Sequence, residues 1–126
     1  MAKTTLKYVG DFIELGYDDH PGAPSLLSAR GKRKPDNKRE VVEYLRSAVA
    51  FIVSPGRNDD VLDPSKSAGS SSIATDGVYV WPKTLAYYVD TYDVELPAEF
   101  EAHMRRNGWK PPAVIDKLAL ALPRYS

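Results

Sequence analysis

Acid–base chemistry near neutral pH most often uses an imidazole, and the chain has only His20 and His103 to offer. His20 follows Asp18 and Asp19 in the turn-forming run Asp-Asp-His-Pro-Gly-Ala-Pro. A small metal-assisted hydrolytic centre could assemble there, although a solvated loop histidine is the plainer reading. His103 stands three residues after Phe100 on a helix-like stretch, the position of a half-buried packing residue. Asp59, Asp60 and Asp63 bring carboxylates together without the D-x-[DN]-x-[DN]-G order or the closing glutamate of a calcium loop. Ser65, Ser67, Ser70, Ser71 and Ser72 supply hydroxyls without a G-x-S-x-G elbow or a phosphate-binding loop. The chain has no cysteine, which removes thiolate nucleophiles, disulfides and Cys-based metal sites. The sequence thus names no catalytic residue, no metal ligand and no cofactor, and its reading weighs against an enzyme.

Two clusters point to binding instead. Arg30, Lys32, Arg33, Lys34, Lys38 and Arg39 place six of the 17 cations in ten residues, a run that could clamp phosphates and release counterions. No recognised nucleic-acid module accompanies it, so a nucleic-acid contact stands as the alternative. The second cluster is aromatic: Tyr79, Trp81, Tyr87, Tyr88, Tyr92, Phe100 and Trp109 crowd one quarter of the chain. Exposed tyrosine and tryptophan give large contact area at low entropy cost. Tyr79, Trp81 and Tyr87 are therefore the expected contacts to a protein partner, with Asp59 and Asp60 adding charge for orientation.

The elements that must position these residues follow from spacing. Ser25–Ala29 reads as a short helix capped by Ser25 or a neighbour and stopped by Gly31. Val41, Val42, Leu45 and Val49 recur on one face of a helix opened by Asp36, and Ala50–Ser54 reads as a strand ended by Pro55-Gly56. The Asn/Asp/Ser-rich stretch 56–72 has no periodicity and reads as a loop. Asp76-Gly77 between two β-prone runs predicts a hairpin with a type I′ turn, and strand alternation puts Tyr79 and Trp81 on one face and Val78 and Val80 on the other. Pro82 is expected to open a helix with the stripe Leu85, Tyr88, Val89 and Tyr92. A further helix is expected from Pro97 to Asn107, stopped by Gly108, and a last short one in the tail through Val114, Ile115, Leu118 and Leu122.

At 126 residues, 14.0 kDa and 43% apolar content, the chain is expected to be a single domain, 1–126, able to form a core without staples. The fold class is α+β: a small antiparallel hairpin-based sheet packed by three or four helices. Equal numbers of acidic and basic side chains argue against a surface given over wholly to nucleic acid or anionic membrane. Met1–Gly10 lacks a signal-peptide apolar segment and no run spans a bilayer, so no membrane partner and a cytoplasmic location are expected.

The stretch Asp76-Gly-Val-Tyr-Val-Trp-Pro82, with Leu85-Ala-Tyr-Tyr-Val89, Tyr92, Leu96-Pro97, Phe100, His103-Met104 and Asn107-Gly-Trp109, resembles a group of small bacterial proteins. Tyr8-Val-Gly-Asp11, Ala23-Pro-Ser25 and Val61-Leu-Asp-Pro64 extend that resemblance over most of the chain. It brings no catalytic motif. Small cysteine-poor α+β proteins of this kind are similar, by analogy, to the immunity proteins that occlude bacterial toxin domains. The expectation is a non-catalytic, immunity-type protein-binding module.

Overall fold

The computed structural model describes residues 3–15, 23–34 and 36–123; His20 and its neighbouring aspartates lie outside them. The strands are β1 (Thr4–Thr5), β2 (Lys7–Tyr8), β3 (Val49–Ile52), β4 (Arg57–Asp59), β5 (Ser67–Ser70), β6 (Ile73–Thr75), β7 (Tyr79–Pro82) and β8 (Leu120–Ala121). The α-helices are α1 (Leu26–Ala29), α2 (Lys38–Ser47), α3 (Leu85–Tyr92) and α4 (Ala98–Arg106). This is an α+β fold. No helix among the described residues is long and apolar enough to cross a membrane.

The central sheet has the order β2-β7-β6-β3. The β6–β7 hairpin lies where Asp76-Gly77 predicts it, but its turn is not type I′. Thr75 pairs with Val80, and positive φ occurs at Gly77 alone within the turn. A type I′ turn needs positive φ at both central residues; here the Asp76 side chain closes the loop instead, accepting from the amides of Val78 (3.0 Å) and Tyr79 (2.7 Å).

The sheet is mixed rather than purely antiparallel, because β2 runs parallel to β7. Long intervening chain makes such pairing possible, and nothing in a two-residue strand announces it. β8 pairs in parallel with β1, so the tail closes as a short 3₁₀ turn and a strand, not a helix. Val114 and Leu118 of the expected stripe are 90% and 83% exposed, so burial does not support a helix there.

Stretch 56–72 is not an unstructured loop: β4 and β5 pair as an antiparallel ribbon. Its serines tie it together. The Ser72 hydroxyl accepts from the Ser54 amide at 2.9 Å, and Ser71 Oγ donates to Ser54 Oγ at 3.0 Å.

Helix starts also differ in detail. Asn37, not Asp36, precedes α2, in the left-handed conformation with φ 59°. Pro82 ends β7 instead of opening α3, its missing N–H falling at a strand end. Of the cap candidates at the start of α1, Ser25 is the one used, its hydroxyl accepting from the Ser28 amide. The stripes of α2 and α3 bury Val41, Val42, Tyr44 and Leu45, and Leu85, Ala86, Tyr88 and Val89.

The helices pack on one face of the sheet, the β1/β8 pair on the other. Trp81, fully buried, meets Tyr44 and Phe100 with ring centroids 6.1 and 5.4 Å away. Val80 points oppositely into a smaller cluster with Leu6 and Leu120. The alternation of Tyr79 and Trp81 against Val80 is as the strand period requires.

Candidate functional site

The hairpin face expected to anchor a partner is core. Tyr79 is 5% exposed and Trp81 0%, because α2 and α4 cover that face. The Trp81 indole N–H donates to the Leu45 carbonyl at 3.2 Å, so even its polar handle is used internally. Neither residue can be a surface contact of the folded chain.

Around the hairpin turn stands a polar cluster that sequence reading missed. The Tyr44 hydroxyl donates to Asp76 Oδ2 at 2.7 Å, Asn107 Nδ2 donates to Tyr44 Oη at 2.9 Å, and His103 Nε2 lies 3.1 Å from the same Asp76 oxygen. Burial, and then the Asp76 carboxylate, raise the Tyr44 phenol above its ordinary value. The His103 ring also packs on Tyr79, centroids 5.1 Å apart. His103 is thus the half-buried residue its helical position implied, but with a carboxylate partner 27 residues away in sequence. An imidazole–carboxylate pair is what a general base uses. Here the carboxylate's oxygens are already engaged by two amides and a phenol, and the nearby Thr75 hydroxyl donates to the Tyr79 carbonyl. The pair joins the turn to α4.

The second cluster centres on Asp60, fully buried where the β4–β5 ribbon meets α3. Its Oδ1 accepts from the amides of Leu62 and Asp63 (2.7 and 3.2 Å), its Oδ2 from the hydroxyls of Tyr87 and Tyr92 (2.7 and 2.5 Å). The Tyr88 hydroxyl accepts from the Val61 amide at 3.1 Å. Burial pushes the Asp60 carboxyl up, but the Tyr92 and Tyr87 hydroxyls and the two amides outweigh it and hold it below the usual carboxylate range. Asp60 is buried with both oxygens engaged, whereas Tyr87 gives its hydroxyl to Asp60 and keeps a half-exposed ring. Asp59 remains exposed on β4. Among the described residues, no three His, Asp or Glu side chains are grouped as ligands of a metal ion.

The basic run is divided. Arg33, with its side chain 3% exposed, forms a two-pronged pair with Glu101 at 2.7 and 2.9 Å, and Lys38 pairs with Asp93 at 2.8 Å. Arg33 Nε is buried without a hydrogen-bond partner among the described residues. Arg30, Lys32, Lys34 and Arg39 are exposed. The run is therefore partly internal: its arginine clamps α4 and its lysine the end of α3.

Two surface cavities lie beside this region. One, about 460 Å³, is lined by Lys32, Lys34 and Arg105 together with Asp36 and the Arg33–Glu101 pair. The other, about 500 Å³, runs over residues 8–12, the cap Ser25, and Ser28 and Ala29 of α1. They share Glu95, Leu96 and Ala98. Comparison with known proteins returns no matching family model, curated protein or solved structure, so the reading of these cavities rests on their own chemistry.

Proposed function

We propose that the chain is a non-catalytic protein-binding module that acts by occluding a partner, in the manner of an immunity protein on a toxin domain. The observation that carries this reading is the pair of adjoining cavities, about 500 and 460 Å³, which share the segment 95–98. Together they offer apolar recesses at Leu96 and Phe12 with charged rims, the arrangement in which projecting side chains of a partner become binding hot spots. The fold's buried charged side chains are consistent with it. Asp60, Asp76 and Arg33 are spent on internal hydrogen bonds that hold the fold.

Ala98 is exposed at the rim shared by both cavities, so an arginine there blocks them without disturbing the core. The test is co-expression with the proteins encoded beside its gene, followed by calorimetry on any complex. Ala98→Arg is expected to weaken the complex by about 2 kcal/mol or more, and the native chain to suppress the partner's activity. An unchanged Kd for Ala98→Arg would overturn the reading. Salt-steep binding to RNA or DNA, flattened by neutralising Lys32 and Lys34, would replace it with the nucleic-acid alternative.

A further inference from the structure

A third cavity, about 280 Å³, is walled by the β4–β5 ribbon, α2 and the start of α3, and shares no lining residue with the two around segment 95–98. Three cations reach it from separate parts of the chain: Arg46 from α2, Arg57 from β4 and Lys83 from the turn between β7 and α3. Its buried lining residues are Ala68 and Ala86, small side chains that leave the cations room to converge.

The polar groups around it are set as donors. Ser67 Oγ accepts from Arg57 Nε at 3.3 Å and from the Gly69 amide at 3.2 Å, and Ser70 Oγ accepts from the Ser72 amide at 3.1 Å. Neither hydroxyl donates to another described residue, so each keeps its proton to offer. Arg57 spends Nε on Ser67, and its two terminal nitrogens have no partner among the described residues. Lys83 gives one bond to the Ala48 carbonyl at 3.4 Å and keeps two donors. The acids beside these groups compete weakly. Asp90 lies 3.7 Å from Arg46 with both side chains about half exposed (53% and 52%), a loose surface pair that a stronger anion displaces. Asp60, behind the Tyr87 hydroxyl, already accepts from two amides and two phenols.

Converging cations with hydroxyl donors between them suit an anion that carries more than one charge and presents oxygens in several directions. A carboxylate offers two oxygens in one plane and a single charge, whereas a phosphate monoester offers three oxygens and close to two charges. We propose that this cavity binds a phosphate group of that charge, as inorganic phosphate or as the terminal group of a small phosphate ester. The inference is independent of the protein-binding reading and adds a small-molecule site to it.

The test titrates inorganic phosphate, glycerol 3-phosphate, dimethyl phosphate and acetate into the full chain at one ionic strength, set with chloride, while backbone amide resonances are followed. The first two are expected to give saturable shifts confined to residues 67–70, 83 and 86–87, and the singly charged diester and acetate none. Tighter binding of glycerol 3-phosphate than of inorganic phosphate assigns the site to an organic ester; equal binding assigns it to phosphate itself. Arg46→Gln and Arg57→Gln are each expected to weaken binding about three- to fivefold, the scale of one exposed charge pair, and Ser67→Asp to abolish it. Lys66→Gln, which removes a cation from the same ribbon outside the cavity, should leave it unchanged. All four positions are exposed, so these variants should melt as the native chain does. Acetate shifts equal to those of phosphate, shifts spread over the whole surface, indifference to Ser67→Asp, or a loss in Lys66→Gln as large as in Arg57→Gln would overturn the proposal. None of these outcomes touches the dependence of a partner complex on Ala98, so the two readings fail separately.

Discussion

Asp76 and Asp60 perform the same local task in two different places, both of them buried. Each sits in a tight loop, accepts two backbone amides on Oδ1 and takes tyrosine hydroxyl donation on Oδ2. Asp76 does so between the sheet and α4, where Tyr44, His103 and Asn107 converge from two helices. Asp60 does so beside α3, where its hydroxyl donors come from that helix alone and its amide donors from the loop between β4 and β5. One geometry thus closes the core in one place and pins an outlying ribbon in the other. Loss of the first should be felt by the whole fold, loss of the second by one loop.

The largest expected effect lies in the Asp76 region. Trp81→Ala removes a fully buried indole between α2, α4 and the sheet and should cost about 3–5 kcal/mol in denaturant melts, as large-to-small core truncations do. A loss under about 1 kcal/mol would return Trp81 to the surface and dissolve the contrast.

Asp76→Ala comes next, at about 2–4 kcal/mol, because it strands the Tyr44 hydroxyl and two turn amides in buried surroundings. Amide exchange should accelerate across the hairpin and α4 together. Acceleration confined to the turn would make the two regions equivalent.

Asp60→Asn should cost less, about 1–2 kcal/mol, since its part-buried tyrosine donors can turn to water. Faster exchange should appear at Leu62 and Asp63 and along the ribbon while the core stays protected. This site also carries a pH signature. The native carboxyl lies below the unfolded value, so its stabilisation is present above the ordinary carboxylate range and is lost as pH falls through the lowered native value. Acid should therefore release the ribbon in the native chain, and the acid-side slope of stability should shrink in Asp60→Asn. An unchanged slope would remove Asp60 from that role.

The smallest effect sharpens the picture further. Tyr87→Phe deletes one of the two hydroxyls on Asp60 and should cost about 1 kcal/mol or less, with Tyr92 keeping the carboxylate engaged. Combined with Tyr92→Phe it should exceed the sum of the singles, which a double-mutant cycle measures.

Local chemistry made several parts of this molecule legible in sequence. The helical stripe of Leu85, Tyr88 and Val89, the Ser25 cap, and the Phe100–Met104 spacing lie within a few residues of one another, where backbone period alone decides which side chains share a face. Asp76-Gly77 marked the hairpin because few other pairs turn a chain so tightly, even though the side chain, not a second positive φ, closes it. The 56–72 ribbon was hidden because its strands are short and polar and it is joined to α3 through Asp60, whose tyrosine partners lie 27 and 32 residues onward. The polar cluster was hidden for the same reason: His103 and Asp76 were visible as residue types, Tyr44 was not, and only folding joins them with Asn107.

The amino-acid order by itself determined that Tyr79 and Trp81 share one face of a strand, since side chains alternate with a period of two whatever surrounds them. Which face is wet was decided by tertiary structure alone, when α2 and α4 closed over the aromatic side and the β1/β8 pair closed over Val80. The same holds for the cavities. Gly10, Glu95 and Leu96 are unremarkable where they stand in the chain, and they line one cavity only because long-range packing brings residues 8–12 against the α1 segment and the stretch before α4. Burial and charge complementarity depend on distance in space, which local spacing along the chain does not encode.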